Sequence, residues 1–193
     1  MNNICDKNFL QSKAAQSIIG GLLIILVTLV VGGIAAAQSK PDDDAMPALK
    51  FKGGIGVIPV TGVAANGTVN LNLVRGVPPG APWRIADLRA EIGSDGHIKV
   101  VGRGLLLASG NGIGTNAGQS VHATLFCGSA ASATAHSSTV TGVAIEEDGD
   151  FRIDDFLSPV PPTPCDSPVL LIRNVGGVWF AAGIPMRQEE HRI

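Results

Sequence analysis

Tyrosine is absent from this chain of 193 residues, and beyond residue 37 it has no helix-favouring runs of Glu, Lys, Leu and Ala. Those gaps exclude a helical bundle. With 25 glycines they leave a β protein of short strands and many turns. A basic excess is missing too: the net charge is −2, which excludes a nucleic-acid partner that needs a basic stripe. The four histidines, His97, His122, His136 and His191, show neither H-x-x-x-H nor H-E-x-x-H spacing, so no zinc site is read from them. His97 adjoins a turn and His122 falls on a strand's outer face, where surface histidines are ordinary. No G-x-S-x-G nucleophile turn occurs, and Ser137 and Ser138 beside His136 are neighbours in sequence alone.

What the chain does have begins with residues 18–37, a run with no charge and a single hydroxyl. Lys7 and Lys13 precede it, and Ala35-x-Ala37 closes it before Gln38. A basic start, an apolar middle and small residues at the end describe an export signal. The same run spans roughly 30 Å as a helix, so residues 1–37 are either a cleaved signal peptide or a retained N-terminal membrane anchor. In both cases the two lysines stay on the cytoplasmic side. The rest is then secreted, periplasmic or held at the cell envelope. Its contact with a membrane is limited to residues 18–37.

Cysteine is scarce, and topology sorts the three. Cys5 precedes the apolar run. Cys127 and Cys165 are the only two in the exported part, where an oxidant can join them. Neither belongs to a C-x-x-C motif, so the expected bridge is structural.

Residues 38–53 are polar, with two prolines and the run Asp42-Asp43-Asp44, and read as a flexible linker. Residues 187–193 read as a disordered tail. Between them, residues 54–186 alternate short apolar runs with turn residues. At 68–74, Val69, Leu71 and Leu73 take one face and Asn70 and Asn72 the other. Further strands are expected at 85–92, 97–107, 119–127, 139–146, 150–157, 169–173 and 178–182. With Ser94-Asp95-Gly96 as a loop, Ile92 faces Ile98 and Ala90 faces Val100 on the core side. Glu91 then faces Lys99, and Asp87 faces Arg103, on the other. A second hairpin around Glu147-Asp148-Gly149 sets Ile145 against Phe151 and Val143 against Ile153. A third, around Asn174-Val175-Gly176-Gly177, is apolar on both faces and should be central or covered. The expected fold is all-β: an antiparallel two-sheet sandwich, immunoglobulin-like, with eight or nine strands after an N-terminal apolar leader helix. A closed barrel is the alternative.

Candidate sites are few. Glu146, Asp148 and Asp150 crowd one turn and could hold calcium, but they lack the EF-hand pattern and also fit a solvated hairpin tip. Trp83 with Arg75, Arg84 and Arg89 could form a recognition patch, although core packing is the ordinary fate of a tryptophan. The glycine-rich stretch 109–118 leads into a strand, so it reads as a loop and not as a phosphate cradle. Asn66-Gly67-Thr68 matches the glycosylation sequon. Nothing here calls for a cofactor.

The block Pro82-Trp83-Arg84-Ile85, with Ser94-Asp95-Gly96-His97-Ile98-Lys99-Val100 and Leu125-Phe126-Cys127, resembles small secreted bacterial proteins of uncharacterised function. So do Gly102-Arg103-Gly104-Leu105-Leu106-Leu107, Cys165 with Val169-Leu170-Leu171-Ile172, and Trp179-Phe180. The resemblance implies an exported β domain and brings no catalytic residue with it. The reading is a binding or interaction protein for an unknown protein or surface ligand. The alternatives are an enzyme with a site assembled from dispersed residues, and a structural envelope protein.

Overall fold

The computed structural model describes residues 49–63 and 69–186, with side chains from 49–60 and 72–186. The expected leader, most of the expected linker, the sequon, the tail and the side chains of Val69 and Leu71 lie outside the described residues. Everything described is strand, turn or loop, and among these residues no helix could cross a membrane.

The first strand, β1 (Leu49–Gly56), starts inside the segment expected to be linker. Its lysines hid it. Leu49 and Phe51 alternate with exposed Lys50 and Lys52, and Phe51 is buried. That period-two pattern lets β1 pair on both edges, with β5 (Asp87–Ile92) and with β13 (Trp179–Pro185). Residues 49–53, read from sequence as part of a linker, thus lie in a strand.

The hairpin of β5 and β6 (His97–Arg103) has the register read from its turn, with Ile92 opposite Ile98, Ala90 opposite Val100 and Glu91 opposite Lys99. Gly96 takes φ +85°, a conformation that costs glycine little, and its N–H bonds to the Gly93 carbonyl at 3.1 Å. Asp87 does lie opposite Arg103, but its carboxylate pairs with Arg89 at 3.2 Å. On the far edge of β6 lies β11 (Phe151–Phe156). There Gly102 faces Phe151, whose ring fills the space a Cβ would occupy.

The third hairpin is central, as its two apolar faces require. Strand β12 (Val169–Arg173) lies between β13 and β8 (Ser120–Cys127), and Leu170, Leu171 and Ile172 are all fully buried. Leu170 pairs with Leu125 and lies beside Gly183, where an added Cβ would meet Leu170, Leu88 and Phe51. Those side chains mark the inner face. The segment 74–80 is tied near both ends of β12. Arg75 Nη2 donates to the Ser167 carbonyl at 2.9 Å, and Gly80 N–H to the Trp179 carbonyl at 2.9 Å.

The second hairpin survives only as a turn. Glu146 N–H bonds to the Asp150 carbonyl at 2.8 Å and Gly149 has φ +89°, as its loop requires. The strands beyond it diverge. β10 (Val143–Ala144) pairs with Val121 and Ser120 of β8, whereas β11 pairs with β6. Residues 139–142 form a turn closed by Gly142 N–H on the Thr139 carbonyl at 2.9 Å. A strand absent from the sequence reading, β9 (Thr134–Ser137), takes the rest of the β8 edge.

These pairings make one sheet of nine strands rather than two bonded sheets, in the order β10-β8-β12-β13-β1-β5-β6-β11 with β9 on β8. Its first and last members are joined by the tight turn at 147–149. Ser137 at the end of β9 exchanges backbone hydrogen bonds with Ser158, just past β11, at 3.0 and 2.9 Å. The sheet is thus nearly barrel-like and antiparallel throughout. Two small ribbons stand apart, β2 (Thr61–Val63) with β3 (Val69–Leu71), and β4 (Trp83–Arg84) with β7 (Leu106–Leu107). Leu73, assigned to the core by alternation, is 55% exposed beyond the end of β3.

Candidate functional site

The two ends of the sheet differ. At one, Trp83 N–H bonds to the Val57 carbonyl at 2.8 Å, and its ring stacks on Phe180 with centroids 4.3 Å apart. Trp83 is only 3% exposed. It cannot serve as an aromatic recognition face, and core packing is its role. Arg75 spends a guanidinium N–H on the Ser167 carbonyl, Arg84 is exposed on β4, and Arg89 pairs with Asp87.

At the other end the sequence places Cys127 on the last position of β8 and Cys165 in the proline-rich loop before β12. The structure joins them, with Cα atoms 5.1 Å apart. Beside the bridge, Gly128 N–H donates to the Asp166 carbonyl at 2.7 Å, so the loop is held to β8 by two ties. Between them opens a recess of about 340 Å³ lined by Cys127, Ser132, Thr134, His136, Pro162 and Asp166, among others. Its lining mixes the prolines Pro162 and Pro164 with the hydroxyls of Ser132 and Thr134 and the side chains of His136 and Asp166.

His136 is the buried polar member of this recess. Its Nδ1 lies 2.7 Å from the Pro159 carbonyl. A carbonyl only accepts, so Nδ1 carries a proton and donates it. Nε2 is buried without a partner. The flanking hydroxyls face other tasks. Ser138 Oγ accepts from Ala123 N–H at 3.0 Å, and Ser137 Oγ bonds to Thr124 Oγ1 at 3.0 Å. Neither is paired with the His136 ring. Phe156 at the end of β11 and Val160 in the loop that follows are 59% and 58% exposed. His97 stacks on Phe156 with centroids 4.9 Å apart and holds Asp154 Oδ1 at 2.6 Å through Nε2.

The acidic turn does not assemble a cation site. Asp150 Oδ1 accepts from Gly104 N–H at 3.1 Å and Asp148 Oδ1 from Asp150 N–H at 3.0 Å, so both carboxylates cap backbone. Among the described residues no group of three His, Cys, Asp or Glu side chains could hold a metal. The glycine-rich stretch is a loop, with Thr115 and Asn116 making its internal bonds. His191 lies outside the described residues.

His122 corrects the sequence reading. It sits on β8 opposite Arg173, as alternation required, yet it is 1% exposed and not a surface residue. Burial, and then the neighbouring Arg173 cation, push its pKa below the ordinary value of 6.5. Sequence could place its face but not what covers that face.

Set against protein-family models, curated proteins and solved structures, the chain matches none of them.

Proposed function

We propose that the chain is exported and that its β domain is a binding module whose site is the recess at the disulfide end. The single observation behind this reading is a concave surface held in shape before any ligand arrives. The disulfide, the Gly128–Asp166 bond and the Ser137–Ser158 pair fix three sides of it. Such preorganisation reduces the ordering cost of binding. Disulfide-linked Cys127 and Cys165 fit an oxidising compartment, and the leader pattern supports the same location.

The polar groups suggest a ligand class. The Asp166 carboxylate accepts, and the Ser132 and Thr134 hydroxyls serve either way. A small donor-rich molecule, an amine or a polyol, suits that set.

The test is a ligand-observed NMR screen of the full chain against short amines, saccharides and peptides. Hits should compete with one another, perturb the His136 ring signals and vanish in Thr134→Trp, which fills the recess. A panel with no hits, or hits untouched by that substitution, would overturn the site. Fractionation and intact mass test export separately. The exported chain should be lighter than the sum of its residues by two hydrogens, and cut after Ala37 if the leader is removed.

A further inference from the structure

Buried nitrogens without partners are rare in folded proteins, and here they are concentrated. Among the described residues five buried side-chain nitrogens lack a hydrogen-bond partner: His122 Nδ1 and Nε2, Arg173 Nε, Trp179 Nε1 and His136 Nε2. Four of the five fall on one row across three strands. His122 on β8 is the register partner of Arg173 on β12, and Arg173 is the register partner of Trp179 on β13. Cross-strand partners project from the same face of a sheet, so the three side chains are neighbours.

A second observation concerns charge. Arg173 is half-buried, and the groups it touches are neutral: Nη1 bonds to Thr124 Oγ1 at 3.4 Å and Nη2 to the Gly177 carbonyl at 3.0 Å. Among the described residues the ion pairs are Arg89–Asp87 and His97–Asp154, and neither includes Arg173. A partly desolvated guanidinium without a counter-ion is costly. Desolvation draws its pKa down, and the cation also discourages a proton on His122. The row therefore offers N–H donors and one uncompensated positive charge, and lacks a negatively charged acceptor.

We propose that His122, Arg173 and Trp179 form a binding site for a small carboxylate. Arg173 Nε and the Trp179 indole donate to its oxygens, and His122 donates from one ring nitrogen. The match is in number and charge. The row has three donor groups and one positive charge, which suit a planar monoanion with two acceptor oxygens better than a phosphate dianion. Arg173 is the most exposed of the three, so the ligand enters past it. This site is independent of the recess at the disulfide end.

The chain contains two tryptophans, so its indole N–H region holds two signals that Trp179→Phe assigns. The full chain, labelled with ¹⁵N in detergent, is titrated with sodium acetate at constant ionic strength set by chloride. The Trp179 indole signal should move saturably while that of Trp83 stays fixed. Arg173→Lys keeps a charge but loses the Nε–H, and should weaken the response at least tenfold. His122→Asn gives a second reading if the arginine variant fails to fold, and should weaken it too. A Trp179 signal indifferent to acetate would mean that water alone satisfies the row, and would overturn the proposal. So would an equal, unsaturable response to chloride. A shift on changing Asp42, Asp43 and Asp44 to Asn, without any response to acetate, would assign the row to the chain's own acidic run and overturn a free ligand.

Discussion

One end of the sheet is closed by apolar packing and the other by covalent and polar ties, and the recess opens at the second. Around Trp83, which is buried, the ring stacks on Phe180 and the backbone N–H bonds to the Val57 carbonyl. Around Cys127 and Cys165, a short β9 and a proline-rich loop are pinned from outside, so their positions need no filled centre. Packing stabilises by excluding everything else. A crosslink stabilises without occupying the space it borders. The candidate site lies where the second strategy operates.

The largest effect should come from the packed end. Trp83→Ala removes a buried stacked ring and should lower stability by about 3–5 kcal/mol in urea unfolding, the usual range for such a truncation. A loss below about 1 kcal/mol would mean the ring is not the stopper we describe. Next, replacing Cys127 and Cys165 together with Ser opens a link across a sequence separation of 38. The chain-entropy account gives about 4 kcal/mol at most, and native disulfides commonly contribute about 2–4. Hydrogen exchange should quicken first at Gly128 and Ser137, and the ligand screen should fall silent. Equal quickening around Trp83 would break the contrast between the ends.

Acid should expose two smaller dependences. The Thr139 backbone N–H, joined by that of Phe156, holds the Asp155 carboxyl below its ordinary value of 3.8. A depressed carboxyl stabilises the fold above its unfolded pKa, and that contribution is lost as pH falls through the folded value. Asp155→Asn should therefore flatten the stability profile below about pH 4. His122 acts at milder acidity. Burial disfavours its proton in the fold, so stability should decline as pH drops below 6.5. His122→Phe should remove that slope, and an unchanged slope would show that another group titrates. The smallest effect belongs to Arg89→Ala on the exposed β5 surface. Its pair with Asp87 is solvated, and the midpoint of unfolding should shift by less than about 0.5 kcal/mol.

Much of the fold was legible, and the reasons are local. The β5–β6 register follows from Gly96 and from the charges at Glu91 and Lys99, all within a short reach of one turn. The central place of β12 follows from Leu170, Leu171 and Ile172, since both faces of such a run need cover. What sequence could not supply was partner choice. Val143 and Phe151 flank a correctly read turn, yet each joins a different strand, Val143 pairing with β8 and Phe151 with β6. β9 carries a histidine, a serine and an alanine, too little apolar text to announce a strand. The recess was illegible for a related reason. Its lining comes from β8, β9 and the loop before β12, and only Cys127 and Cys165 signalled that these would meet.

The pairing of β1 with β13 carries one more consequence. Among the described residues the first strand finds its neighbour in the last, with Gly56 opposite Ala181. Such distant pairing is slow to nucleate. Under the export proposed above, this sheet could be sealed only once nearly all of the domain had crossed the membrane.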